Sequence, residues 1–87
     1  MKHAGSEALD GIEPLLAEIR AAAPDWVEKK RGTFYRRSKA FLHFHEDPTG
    51  MYADVRLSED GDFERLPATT PADQAELVRR ISAAVRQ

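Results

Sequence analysis

Cysteine is absent from the 87-residue sequence. Without thiols the chain can form no disulfide, no thiolate zinc site and no cysteine nucleophile. Long apolar runs are also missing, so the sequence predicts neither a signal peptide nor a membrane span, and we expect a cytoplasmic protein. A glycine-rich phosphate loop and a nucleophile elbow are lacking as well. The sequence therefore favours a protein that is not an enzyme, and it implies no cofactor.

Neither sign of charge is in large excess, since the formal net charge is −2. The protein as a whole thus lacks the strongly basic character of many nucleic-acid-binding domains. The charges are nevertheless unevenly distributed, because residues 46–64 are rich in acids whereas residues 28–39 are rich in bases. The basic residues of that second segment are Lys29, Lys30, Arg31, Arg36, Arg37 and Lys39.

The composition, with 41% hydrophobic and 32% charged residues, is typical of a globular domain. The length leaves room for one domain only, which we place at residues 1–87. Residues 1–8 carry no apolar pattern, and we expect them to be disordered.

Two helices are predicted, one near each end of the sequence. Apolar residues spaced three and four apart between Leu9 and Ala23 predict an amphipathic helix that begins near residues 11–13 and ends at Pro24. Thr70 is suited to cap a second helix, with Pro71 in its first position.

The segment between the helices alternates with a period of two, which predicts strands. The clearest strands are residues 33–36, 40–45 and 51–57, and shorter ones are possible at 26–29 and 63–66. We therefore predict an α+β fold in which an antiparallel sheet of three or four strands has an N-terminal and a C-terminal helix packed on one face.

The predicted turns, of two residues at 37–38 and four at 46–49, place Phe34 opposite Phe41 and Phe44 opposite Met51. One face of the sheet is then apolar enough to be the core, and the other is left uncovered. An uncovered face with aromatic residues predicts a binding surface for a protein or for a second copy of the chain. Alternatively, the aromatic side chains simply cover one another across the strands. The residues of this predicted binding face are Phe34, Arg36, Lys39, Phe41, His43, His45 and Tyr52.

The stretch TFYRRSKAFLHFHEDPTGMYADVRL, residues 33–57, resembles the central hairpins of the MmcQ/YjbR-like (double-wing) family. Its FLHFHED and ADVRL pieces also resemble the uncharacterised "luciferase domain" proteins, a label that does not imply light emission. The first resemblance implies a small α+β sandwich with a curved antiparallel sheet, and a possible role in DNA binding. Ser38 stands where glycine is common in the family, and no catalytic residue is implied.

The basic segment supports a second functional hypothesis. Cations can neutralise phosphates while interleaved aromatic side chains stack on bases, so Lys29, Lys30, Arg31, Arg36, Arg37 and Lys39 are candidate nucleic-acid contacts. A charged hairpin that only keeps the sheet soluble is the alternative.

A His-x-His pair supports a third hypothesis, a small metalloprotein. His43 and His45 project from the same face of one predicted strand, as pairs of zinc or iron ligands do. Asp54, on the next strand, is a candidate third ligand. The alternative is a pair of solvated histidines on the sheet surface.

Overall fold

The computed structural model describes residues 1–86 of the chain. Its helices are α1 (Ser6–Gly11), α2 (Glu13–Ala22) and α3 (Pro71–Val85). The predicted N-terminal helix is thus preceded by a further short helix, because Pro14 lacks an amide hydrogen and fits only the first turn of α2. The predicted start of α3 is confirmed, since Thr70 and Asp73 form a reciprocal capping box.

The sheet contains six strands and is antiparallel throughout, with the order β2-β3-β4-β5-β6. Its strands are β1 (Lys2–His3), β2 (Val27–Lys30), β3 (Thr33–Arg36), β4 (Lys39–Asp47), β5 (Gly50–Arg56) and β6 (Phe63–Pro67). Strand β1 pairs with the far end of β4. The predicted α+β fold with an antiparallel sheet and two flanking helical regions is confirmed, although the sheet is larger than the three or four strands expected.

The hydrophobic core lies between one face of the sheet and the helices. Side chains from all three helices pack in a single cluster with apolar side chains from β3, β4 and β5. The cluster includes Leu9, Leu16, Ile19, Phe34, Leu42, Phe44, Val55, Leu77 and Ile81. The helices therefore cover one face, and the opposite face, called the outer face below, carries no helix.

The prediction that residues 1–8 are disordered is wrong. Strand β1 pairs Lys2 with Glu46 and His3 with His45, and the amide of Ala4 donates to the carbonyl of Phe44 at 3.0 Å. Helix α1 then begins at Ser6. A two-residue strand has no sequence signature of its own, because its stability comes from the strand beside it.

The predicted register between β3 and β4 is also wrong. Phe34 pairs with Leu42 and Tyr35 with Ala40, so Phe41 is an extra residue that forms a β-bulge. The bulge interrupts the alternation, and the two phenylalanines, Phe34 and Phe41, are only 1% and 3% exposed. Tyr35 is partly buried instead of belonging to the core.

The turn between β4 and β5 contains two residues where four were expected. Asp47 pairs with Gly50, so Phe44 lies opposite Ala53 and not Met51. Gly50 has a φ of 137°, and a Cβ there would collide with Oγ1 of Thr69. Because this register shifts by an even number of residues, the side chains of β5 stay on their predicted faces.

None of the helices in the described part of the chain is long and apolar enough to cross a membrane.

Phe34 and Tyr35 provide a direct test of the bulged register. We expect Phe34→Ala to lower the free energy of unfolding by about 3–5 kcal/mol and Phe34→Leu by about 1 kcal/mol, because the ring is fully buried. Tyr35→Leu is the matched control, and we expect it to cost less than about 1 kcal/mol. Urea unfolding of the three variants measures these differences. A larger loss for Tyr35→Leu than for Phe34→Leu would favour the unbulged register.

Candidate metal centre

Strand β4 places two histidines on the outer face of the sheet. Its side chains alternate after the bulge, so Leu42 and Phe44 enter the core while His43 and His45 project to the other side, where they are partly buried. Strand β1 then brings a third histidine alongside, because His3 pairs directly with His45. The chain has three histidines in total, and all three meet here.

The three imidazoles lie at distances suited to a shared ligand. One ring nitrogen from each of His3, His43 and His45 lies within 4.8 Å of the other two. The ring centroids are 4.7 Å apart for His3 and His45, 5.0 Å for His43 and His45, and 5.6 Å for His3 and His43. With Zn–N bonds of about 2.0–2.1 Å, only small side-chain rotations are needed to bring three nitrogens onto one ion.

Several nitrogens of this cluster lack a partner. Nδ1 of His43 and both ring nitrogens of His45 are buried, and none of them makes a hydrogen bond within the described residues. Buried polar atoms are nearly always satisfied, and an unsatisfied one costs about 1–3 kcal/mol. Each neutral imidazole has one lone pair, so a metal ion could satisfy one nitrogen of His43 and one of His45. The other nitrogen of His45, Nε2, faces the carboxylate of Asp54.

Asp54 lies behind His45. Its Oδ2 is 3.1 Å from Nε2 of His45, although the two groups are not aligned as a hydrogen bond. The guanidinium of Arg65, on β6, donates from Nε to Oδ1 and from Nη2 to Oδ2 of Asp54, both at 2.8 Å. This hydrogen-bonded pairing lowers the pKa of Asp54, so the carboxylate is held in its charged form beside the cluster.

The sequence predicted His43, His45 and Asp54 as a ligand set. The structure brings His43 and His45 together with His3, whereas Asp54 does not share the three-nitrogen cluster. A carboxylate beside a ligating imidazole commonly orients that ring and raises its basicity. The position of Asp54 suits such a supporting role.

One ligand of the cluster, His43, is also suited to metal binding in its protonation state. Burial lowers the pKa of His43 below the ordinary 6.5, and this outweighs the opposing attraction of Asp54. His43 is therefore neutral at pH 7, which is the form that binds a metal ion.

His3 and Arg65 are the residues of the site that were not predicted from the sequence, and His3 is the one that completes the cluster. Periodicity connects residues within one strand or one hairpin, but it cannot connect residue 3 with residue 45. The small number of histidines was the only available signal, and it carries no spatial information.

The predicted binding face of the sheet has a different set of aromatic residues from the one expected. Phe34 and Phe41 are buried, as described above. Tyr52 is partly buried on β5, opposite His45, with its hydroxyl 2.8 Å from Oγ1 of Thr49. Tyr35 and Phe63 lie near the histidines instead, and the ring centroid of Phe63 is 5.0 Å from that of His43.

The predicted nucleic-acid contacts do not form a continuous cationic strip. Arg31 is paired with Asp10 and Glu13, at 2.6 and 2.7 Å. At the other end of the hairpin, three cations gather around Glu59. Those three, Arg36, Arg37 and Lys39, contact its carboxylate or its carbonyl oxygen. Acids thus neutralise Arg31, whereas the single carboxylate of Glu59 offsets only one of the three charges around it. Lys29 and Lys30 form a separate pair on β2.

The candidate site therefore consists of His3, His43 and His45, with Asp54 and Arg65 behind them. It is assembled from four neighbouring strands, β1, β4, β5 and β6. The resemblance of residues 33–57 to the MmcQ/YjbR-like family stays a prediction, because comparison with family models, curated proteins and solved structures finds no match for this chain.

Proposed function

We propose that this protein binds a divalent transition-metal ion, with zinc as the best fit, through His3, His43 and His45. The observation that carries the proposal is the convergence of the only three histidines in the chain on one point of the outer face. The buried ring nitrogens of two of them, His43 and His45, have no hydrogen-bond partner among residues 1–86.

The donor set favours a particular class of metal. Imidazoles suit Zn²⁺, Cu²⁺, Fe²⁺ and Ni²⁺, whereas Mg²⁺ and Ca²⁺ prefer oxygen ligands. Asp54 adds a negative charge next to the cluster, and its bidentate pairing with Arg65 fixes where that charge lies. Three nitrogens fit a four-coordinate zinc ion whose fourth position is open to water or another ligand. The carboxylate of Asp54 lies nearby and is not counted among the ligands.

The two other functional hypotheses have lost part of their support. Association through an aromatic face depended on Phe34 and Phe41, which are in the interior. Nucleic-acid binding depended on a run of cations, most of which contact acidic residues or a carbonyl oxygen. Both stay predictions from the sequence, and metal binding is the function that we favour.

The first test is zinc binding by histidine variants. We expect the unmodified protein to bind one zinc ion per chain, and His3→Ala, His43→Ala and His45→Ala each to weaken binding by at least about tenfold, because each removes one ligand. Lys2→Ala is the matched control, since Lys2 is the exposed neighbour of His3 on the same short strand. Isothermal titration calorimetry measures the affinity and the stoichiometry.

Two-dimensional NMR spectra of each variant establish that the fold is retained before the affinities are compared. Absence of zinc binding by the unmodified protein would contradict the proposal. Equal affinity for His3→Ala and the unmodified protein would contradict the assignment of His3 as a ligand.

Asp54 provides a second test, of the supporting carboxylate. We expect Asp54→Asn to weaken zinc binding by roughly 10- to 100-fold, because the amide keeps the shape of the side chain but removes its charge. Glu64→Gln is the control, since Glu64 is an exposed acid on β6 that pairs with Arg80 and lies outside the cluster. The same calorimetric titration applies. If the two substitutions weaken zinc binding equally, the loss of negative charge explains both results, and the supporting role of Asp54 is contradicted.

We expect the affinity for zinc to decrease as the pH is lowered. Protons and metal ions compete for the imidazole nitrogens, so the affinity falls as the pH is lowered through the range in which the histidines become charged. Since the pKa of His43 lies below 6.5, this ligand stays neutral to a lower pH than a solvated histidine. Titrations between about pH 8 and pH 5 check this. An affinity that is constant over this range would show that zinc binds to carboxylates elsewhere.

A further inference from the structure

A groove on the outer face begins at the histidine cluster. It is about 500 Å³ in volume, and its lining includes His3, His43, Lys29, Lys30, Thr33 and Tyr35. Two of the three proposed metal ligands thus form part of its wall. The groove is within the size range of sites that bind small molecules.

The groove arises from the way in which two strands share one side of β4. Strand β3 pairs with β4 as far as Leu42, and strand β1 pairs with it again only from His45. Between these two pairings, no residue of β1 or β3 lies opposite His43 of β4. On its other side β4 pairs with β5 without a break, from Leu42 to Asp47. The opening is a consequence of the sheet topology.

A second β-bulge determines the charge of the groove. Strand β2 changes register between Glu28 and Lys30, so Lys29 is an extra residue in its pairing with β3. In a regular strand two consecutive side chains would lie on opposite faces, but here Lys29 and Lys30 both line the groove. The ammonium of Lys29 lies 4.6 Å from the centroid of the Tyr35 ring.

These two ammonium groups are available to a ligand. Both lysines are exposed, and within residues 1–86 no carboxylate oxygen lies within 4.0 Å of either nitrogen. The neighbouring carboxylate of Glu28 already accepts hydrogen bonds from the guanidinium of Arg20 and from the amide of Gly32. No acidic residue is part of the groove lining. A metal ion on the three histidines would add further positive charge to its wall.

We infer that the groove binds a small organic oxyanion, with one oxygen in the open position of the histidine-bound metal and the others contacting Lys29 and Lys30. The inference rests on the proposed metal site and names the kind of ligand that the site takes. Phosphate and carboxylate groups share this chemistry, since each has at least two oxygens that share negative charge and can contact a metal ion and an ammonium group at once. A phosphate has oxygens for both lysines, whereas a carboxylate has one oxygen that the two ammonium groups would share. Thr33 is a further polar residue of the groove lining.

The test uses the protein loaded with Co²⁺, whose visible absorption changes when an anion enters the coordination sphere. Phenyl phosphate and benzoate are the two probes, and the neutral benzyl alcohol has the same ring without the charge. We expect at least one of the two anions to change the spectrum saturably and the alcohol to leave it unchanged. The more tightly bound anion identifies the preferred group.

The lysines are tested in the same titration. We expect Lys29→Gln combined with Lys30→Gln to weaken anion binding by at least about tenfold without reducing metal affinity. Lys2→Gln, combined with Lys39→Gln, is the matched control, because it removes the same charge from positions outside the groove. Equal effects of the two double variants would overturn the role of Lys29 and Lys30.

The outcomes separate this inference from the proposed function. If the protein binds cobalt and zinc but neither anion alters the cobalt spectrum, the inference is wrong and the metal site stands. If the protein binds no metal ion, the proposed function is wrong, and the metal-dependent oxyanion site is overturned with it.

Discussion

The antiparallel pairing of β4 with its neighbours is the constraint on which both the core and the candidate site depend. This nine-residue strand pairs with β1, β3 and β5. Its inward residues, Leu42 and Phe44, are almost completely buried, and the residues between and after them are the two histidines. A slip of one residue would expose Leu42 and Phe44 and bury both imidazoles. The stability of the core therefore fixes the position of the site.

Ion pairing decides which charged residues are left available for binding. Most arginines contact acidic groups: Arg20 contacts Glu13 and Glu28, and Arg65 contacts Asp54. Pairs between exposed side chains, such as Arg79 with Glu76, add little to stability. Their larger effect is to remove cations from the surface that a ligand could use. Lys29 and Lys30 of β2 have no carboxylate partner among residues 1–86, and they lie at the groove beside the histidines.

The sequence predicted the elements of the fold better than the contacts between them. Period-two alternation identified β4 and β5, and Thr70 and Pro71 marked the start of α3, because these signals are local. The bulge at Phe41 was not predictable, since an extra residue leaves no mark in an alternating pattern, and it moved Phe34 from the expected outer face into the core. Two of the three clustered histidines were likewise visible in the His43-x-His45 spacing. The third, His3, joins them through a tertiary contact that no local pattern encodes.

The short strand β1 makes the proposed metal ion a cross-link as well as a ligand-binding centre. An ion held by His3, His43 and His45 would join two parts of the chain that are separated by roughly 40 residues, and closing a loop of that length removes conformational entropy from the unfolded chain worth about 3–5 kcal/mol, by analogy with a disulfide. Metal binding to a site that exists only in the folded chain adds directly to stability. In a small domain without cysteine, three histidines would thus provide the covalent-like restraint that other small domains obtain from disulfide bonds.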